Sequence, residues 1–151
     1  PSPFALDGDS LETPFFRVRF NENGAIASLV DRRSGRELVE GLPFNTFLMA
    51  EDLSAAWDNW DVDADLTDKF APAGKLLERR VIADSAVELR IRSKYALSAR
   101  SSIEQDMVFD ASSPMISFET VIDWQEEHRF LKTAFDTSLH CDGVRNEIQF
   151  G

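Results

Sequence analysis

Cysteine is almost absent from this 151-residue chain: Cys141 is the only one, so no disulfide can form within it. No Asn-x-Ser/Thr sequon occurs either. Both absences fit a cytoplasmic protein. Positive charge is also scarce, with 16 Lys and Arg against 27 Asp and Glu and a net charge of −11. A phosphate backbone or an anionic bilayer would be repelled by such a surface, so neither nucleic acid nor membrane is expected as a partner. No apolar run approaches the roughly 20 residues of a spanning helix. The opening Pro1-Ser2-Pro3-Phe4 has no basic stretch followed by an apolar one, and it carries no initiating Met. We therefore expect a fragment of a longer parent. Helical periodicity is missing as well: no window of ten or more residues keeps an apolar period of 3.6.

The period that is present is two. Val87, Leu89, Ile91, Ser93 and Tyr95 alternate with Glu88, Arg90, Arg92 and Lys94, the pattern of a strand with one buried and one charged face. Ile116, Phe118, Thr120, Ile122 and Trp124 repeat it, with Trp124 placed in the core, and so do Leu131, Thr133, Phe135, Thr137 and Leu139. Phe16, Val18 and Phe20 alternate with Arg17 and Arg19. Turn signals at 21–24 (NENG), 32–35 (RRSG) and 110–114 (DASSP) separate the runs. Strands over 75–84, 86–96, 99–109, 115–125 and 130–141 predict a wide meander, and 144–151 reads as a further strand. Length and pattern together predict one all-β domain over residues 1–151, an antiparallel sandwich with a real core.

One segment breaks the alternation. Between 51 and 68 lie Glu51, Asp52, Asp58, Asp61, Asp63, Asp65 and Asp68, with no Lys or Arg, and Trp57 and Trp60 stand among them. Such long polar excursions often carry function. Asp61, Asp63 and Asp65 have the first spacings of a calcium loop, but the pattern then needs Gly and Glu where Leu66 and Pro72 stand. His140 and Cys141 are neighbours and would face opposite ways in a strand, so with His128 they make no zinc site. Cys141 reads as a buried or half-buried small residue. Glu126, Glu127 and His128 read as a charged strand end or turn. The two tryptophans admit two readings. They anchor the loop on the sandwich, or they form an aromatic platform for a sugar, with Asp58 and Asp61 accepting hydroxyl protons.

Four segments then carry a resemblance: LETPFFRVRFNENGAIASLVDRRSGREL (11–38), AWDNWDVD (56–63), ISFETVIDWQEEHRFLKTAFDTSL (116–139) and NEIQFG (146–151). In order and spacing they resemble the C-terminal region of family 38 glycoside hydrolases, the α-mannosidases. The Trp-Asp-x-Trp-Asp element and the Asp-Trp-x-Glu-x-His run are the most specific parts. The resemblance implies a fragment of a larger β-sandwich of the galactose-mutarotase-like, or supersandwich, type. It implies a parent that hydrolyses α-linked mannose in glycans or oligosaccharides with retention. The nucleophile, the acid/base carboxylate and a divalent metal, usually zinc, would belong to an α/β barrel joined through a helical bundle. No segment here resembles that barrel, so no catalytic residue, metal ligand or cofactor is transferred to this chain, which is expected to be inactive alone. Trp57, Asp58, Trp60 and Asp61 become candidate contacts to the substrate cleft or to the missing catalytic and helical domains. That assignment expects a partly exposed loop. Two other functions stand beside it: a stand-alone carbohydrate-binding module using Trp57 and Trp60, and an aldose-epimerase-like enzyme using His128 or His140 with a carboxylate.

Overall fold

The computed structural model of the chain describes residues 1–57, 60 and 62–143. Four short strands come first, β1 (Ala5–Asp7), β2 (Ser10–Glu12), β3 (Phe16–Phe20) and β4 (Ile26–Asp31), and they form one antiparallel sheet in that order. Next come β5 (Thr46–Glu51), a single helical turn α1 (Leu66–Lys69) and β6 (Ala71–Pro72). The four longest consecutive strands, β7 (Lys75–Asp84), β8 (Glu88–Ala96), β9 (Ser102–Asp110) and β10 (Ile116–Asp123), make the predicted meander. The last, β11 (Arg129–Ala134), returns to pair antiparallel with β5, giving a third sheet ordered β11-β5-β6. The fold is an all-β antiparallel sandwich.

Local chemistry sets the turns. Asn21 Oδ1 accepts from the amides of Asn23 at 3.0 Å and Ala25 at 2.9 Å. Gly24 then takes φ 74°, and a Cβ there would meet the Tyr95 hydroxyl at 3.1 Å. Glycine is needed at that position both for its backbone and for the close approach. Asp31 caps the next turn, accepting from Ser34 Oγ at 2.6 Å and the Arg33 amide at 3.1 Å.

One face of the meander carries the core. At one end Leu89, Ile91, Met107 and Phe109 pack against Leu11, Val18, Phe20, Ile26 and Leu29 of the first sheet. At the other end Tyr95, Leu97 and Ile103 pack with Phe47 of the third sheet. Fully burying each such side chain is worth about 1.5–3 kcal/mol. Between the two clusters the interior is polar. Asn45 Nδ2 donates to Gln105 Oε1 at 2.7 Å, and Gln105 Nε2 donates to Thr120 Oγ1 at 2.9 Å and to Asn45 Oδ1 at 3.3 Å. Among the described residues no buried side-chain N or O lacks a partner.

The opposite face is ionic. Asp106, only 5% exposed, accepts from Arg92 Nε at 2.7 Å and Nη2 at 2.9 Å and from Arg90 Nη1 at 3.1 Å. Arg90 also reaches Glu119 on β10, and Lys94 lies near Glu78 on β7 and Glu104 on β9. The charged residues alternating along β8 therefore stitch the four strands of the meander from outside.

Several expectations need correction. Val87 is exposed, because it lies in the turn that Ser85 Oγ organises by accepting from the Val87 and Glu88 amides. On β10 the alternation gives the right face, but Thr120 and Ile122 remain largely exposed because β10 is the meander's edge. Trp124 is half-buried against the second cluster rather than fully enclosed. The fifth long strand does not extend the meander; it crosses to β5 and stops at Ala134. Beyond it, Thr137 bridges Val39, and Ser138 Oγ donates to the Glu37 carbonyl at 2.7 Å. Cys141 is exposed. The strand expected over 144–151 lies outside the described residues.

Two outcomes follow from the interior amides and from the ionic face. Gln105→Leu should cost about 2–3 kcal/mol in urea unfolding, because it leaves the buried Asn45 amide without its partner. Arg92 foremost, then Arg90, holds the Asp106 carboxyl below its ordinary value of 3.8. A folded value below the unfolded one means the stabilisation is complete above about pH 4 and is lost as pH falls through the lower folded value. Asp106→Asn should therefore lower the melting temperature at neutral pH and make the acid limb of the stability curve shallower.

Candidate functional site

The acidic excursion leaves from the end of β5 and returns through α1 to β6. Its return is well anchored. Leu66 is 4% exposed, its amide donates to the Asp63 carbonyl at 2.9 Å, and Lys69 pairs with Asp65 at 2.8 Å. Phe70 then meets Phe130 edge-on with ring centroids 5.9 Å apart, and Lys132 Nζ lies 5.0 Å from the Phe70 ring centre. Both contacts tie the loop's end to β11.

The outward arm is held differently. The Asp52 amide donates to the His128 carbonyl at 2.8 Å, which fixes the exit of β5 against the entry of β11. Further on, the Ala55 amide donates to Asp63 Oδ2 at 3.2 Å, and the Trp60 amide to the Trp57 carbonyl at 2.7 Å. These bonds are made by backbone and by one aspartate. Both tryptophan rings lie largely in solvent: Trp57 is 77% exposed and Trp60 90%. Leu66, Phe70 and Asp63 hold the loop instead. Asp58 and Asp61 lie outside the described residues.

Trp57 and His128 have left-handed backbones, with φ 61° and 52°, unusual for bulky residues. The structure brings them together. Leu53, Ser54, Ala56, Trp57 and His128 line a shallow depression of about 200 Å³ between the loop and the start of β11. In the sequence His128 groups with its neighbours Glu126 and Glu127, or with His140 and Cys141 as a soft ligand; nothing in the spacing signals a partner some 70 positions earlier. His140 is elsewhere, 3.7 Å from Glu40 with its side chain in solvent.

Glu126 proves to be part of a turn. Its carboxylate accepts from Ser98 Oγ at 2.5 Å and Ser101 Oγ at 2.7 Å, and these two hydroxyls hold its carboxyl below the ordinary 4.5. Gln125 N in turn donates to Ser101 Oγ at 2.9 Å. The cluster locks the β8–β9 turn to the segment that carries the chain across to β11. Among the described residues no three His, Cys, Asp or Glu side chains converge to hold a metal ion.

The chain was compared with known proteins. A family model described as "Glycosyl hydrolases family 38 C-terminal domain" matches residues 11–151. The chain is 32% identical over 144 residues to Alpha-mannosidase 2C1 of Mus musculus, covering 94% of this chain and 14% of that protein. It is 28% identical over 151 residues to Alpha-mannosidase G of Dictyostelium discoideum, covering 95% and 14%. It is 24% identical over 143 residues to Alpha-mannosidase of Saccharomyces cerevisiae, covering 86% and 13%. The chain thus spans about one seventh of the length of these relatives.

Because both indoles are largely exposed, Trp57→Ala and Trp60→Ala should each change stability by less than about 0.5 kcal/mol. Leu66→Ala should cost about 2–4 kcal/mol. Urea titrations of the three variants compare an exposed ring with a buried anchor on the same loop.

Proposed function

Since the chain belongs to the glycosyl hydrolase family 38 C-terminal domain family, we propose that it is the non-catalytic β-sandwich part of an α-mannosidase, one that removes α-linked mannose from glycans or oligosaccharides with retention. The family match over residues 11–151 carries this reading. The sandwich acts as scaffold and lends a partial wall to the active site. Its contribution is the acidic loop, where Trp57, Asp58, Trp60 and Asp61 face the substrate cleft or the catalytic and helical domains of the parent. The exposure of the two described indoles supports this, since large apolar side chains left in water mark contact surfaces. The nucleophile, the proton donor and the divalent metal are assigned to parts of the parent outside these residues. A cytoplasmic site of action fits the single cysteine and the missing sequon.

Hydrolysis of an aryl α-mannoside with zinc supplied tests the proposal. The parent should turn it over, and the 151-residue chain should not. An active fragment, or an inert parent, sinks it. Within the parent, Trp60→Ala should lower kcat/KM while leaving the melting temperature of the sandwich unchanged.

A further inference from the structure

We propose that the depression between the exit of β5 and the entry of β11 is a subsite for one neutral hexopyranose ring, with Trp57 as the stacking face and His128 and Ser54 as hydrogen-bonding groups. The mannosidase reading supplies the choice of mannose; the site itself stands on the residues.

The two walls come from distant parts of the chain, and the Asp52–His128 backbone bond sets them at a fixed separation. The space between them is about 200 Å³. That is below the range of pockets for drug-sized ligands and suits one small ring rather than an extended segment. Trp57 and His128 both hold left-handed backbones, a conformation that tends to persist where a side chain must be presented to a ligand. The indole is 77% exposed, so one of its broad faces is open to the carbon-bound hydrogens of a pyranose.

Charge narrows the ligand class. The segment 51–68 holds acidic residues and no Lys or Arg. Its field repels phosphates, sulfates and uronic acids. A neutral polyol is not repelled, and Ser54 and His128, which line the depression, bring a hydroxyl and an imidazole to hydrogen-bond its hydroxyls.

Saturation-transfer NMR on the 151-residue chain tests this, with methyl α-mannopyranoside and methyl α-glucopyranosiduronate as parallel probes. The neutral sugar should receive magnetisation on its ring hydrogens and bind in the millimolar range; the uronate should bind at least about tenfold more weakly. Trp57→Ala should weaken the neutral sugar by about tenfold or more. His128→Asn should also weaken it, since Asn tolerates the left-handed backbone but removes the ring. Unchanged melting temperatures in both variants exclude unfolding as the cause. No transfer to the neutral sugar, transfer that survives Trp57→Ala, or equal binding of the uronate overturns the subsite. The aryl mannoside assay on the parent reads the enzyme assignment separately. Sugar binding by the fragment with an inert parent retains the subsite and rejects the mannosidase; hydrolysis without sugar contact does the reverse.

Discussion

The buried amide pair of Asn45 and Gln105 is the constraint on which the arrangement of the three sheets depends. Asn45 sits where the chain passes from the first sheet to the third. Its predecessor Phe44 bridges Ile26 of β4, its own amide donates to the Ala134 carbonyl of β11, and its side chain reaches Gln105 on the central strand β9. Its left-handed backbone, φ 66°, turns the chain sharply enough to satisfy all three. A polar pair of this kind is stable in the interior only when every atom is partnered, which restricts the sheets to one relative placement. Thr120 completes the set from β10. The apolar clusters on either side supply most of the driving force, but they are not directional. The amides provide direction.

The loop inherits its position from this placement. β5 begins directly after Asn45 and pairs with β11, so the end of β5 and the start of β11 lie together. The Asp52–His128 bond extends that pairing by one step. Along the outward arm Leu53, Trp57, Trp60 and Val62 are exposed, and the first buried apolar residue after β5 among the described residues is Leu66. The ionic lattice around Asp106 lies on the other face of the meander, where its charges pair with one another. The two faces therefore differ in kind. The ionic face is closed by internal partners and the other by the core, while the loop leaves Trp57 77% and Trp60 90% exposed.

Much of this was legible in the sequence. Alternation identified the meander strands, and Asn-Gly and Ser-Gly placed the turns after β3 and β4, because both signals are local. What alternation cannot say is whether a face is covered. Ile122 obeys the pattern and is still exposed, since β10 ends the sheet. It also cannot say which strand a run will pair with. The run from Leu131 had the period of a meander strand, yet it joins β5 some 80 residues earlier. The candidate loop was found by its composition and by its resemblance to a family, but nothing in either singled out its buried anchors. Tryptophan is the usual anchor by size; here Leu66 and Phe70 fill that role. His128 was invisible as a partner of Trp57 because their proximity follows from the β5–β11 pairing and from no local signal.

The central claim is that this sandwich offers its acidic, tryptophan-bearing loop to the rest of a larger enzyme. Hydrogen exchange of residues 52–65, measured in the 151-residue chain and again in the complete parent, tests that most directly. The account predicts that the loop becomes markedly protected in the parent, while the buried strand β9 exchanges at the same slow rate in both. Equal exchange of the loop in the two proteins would contradict it.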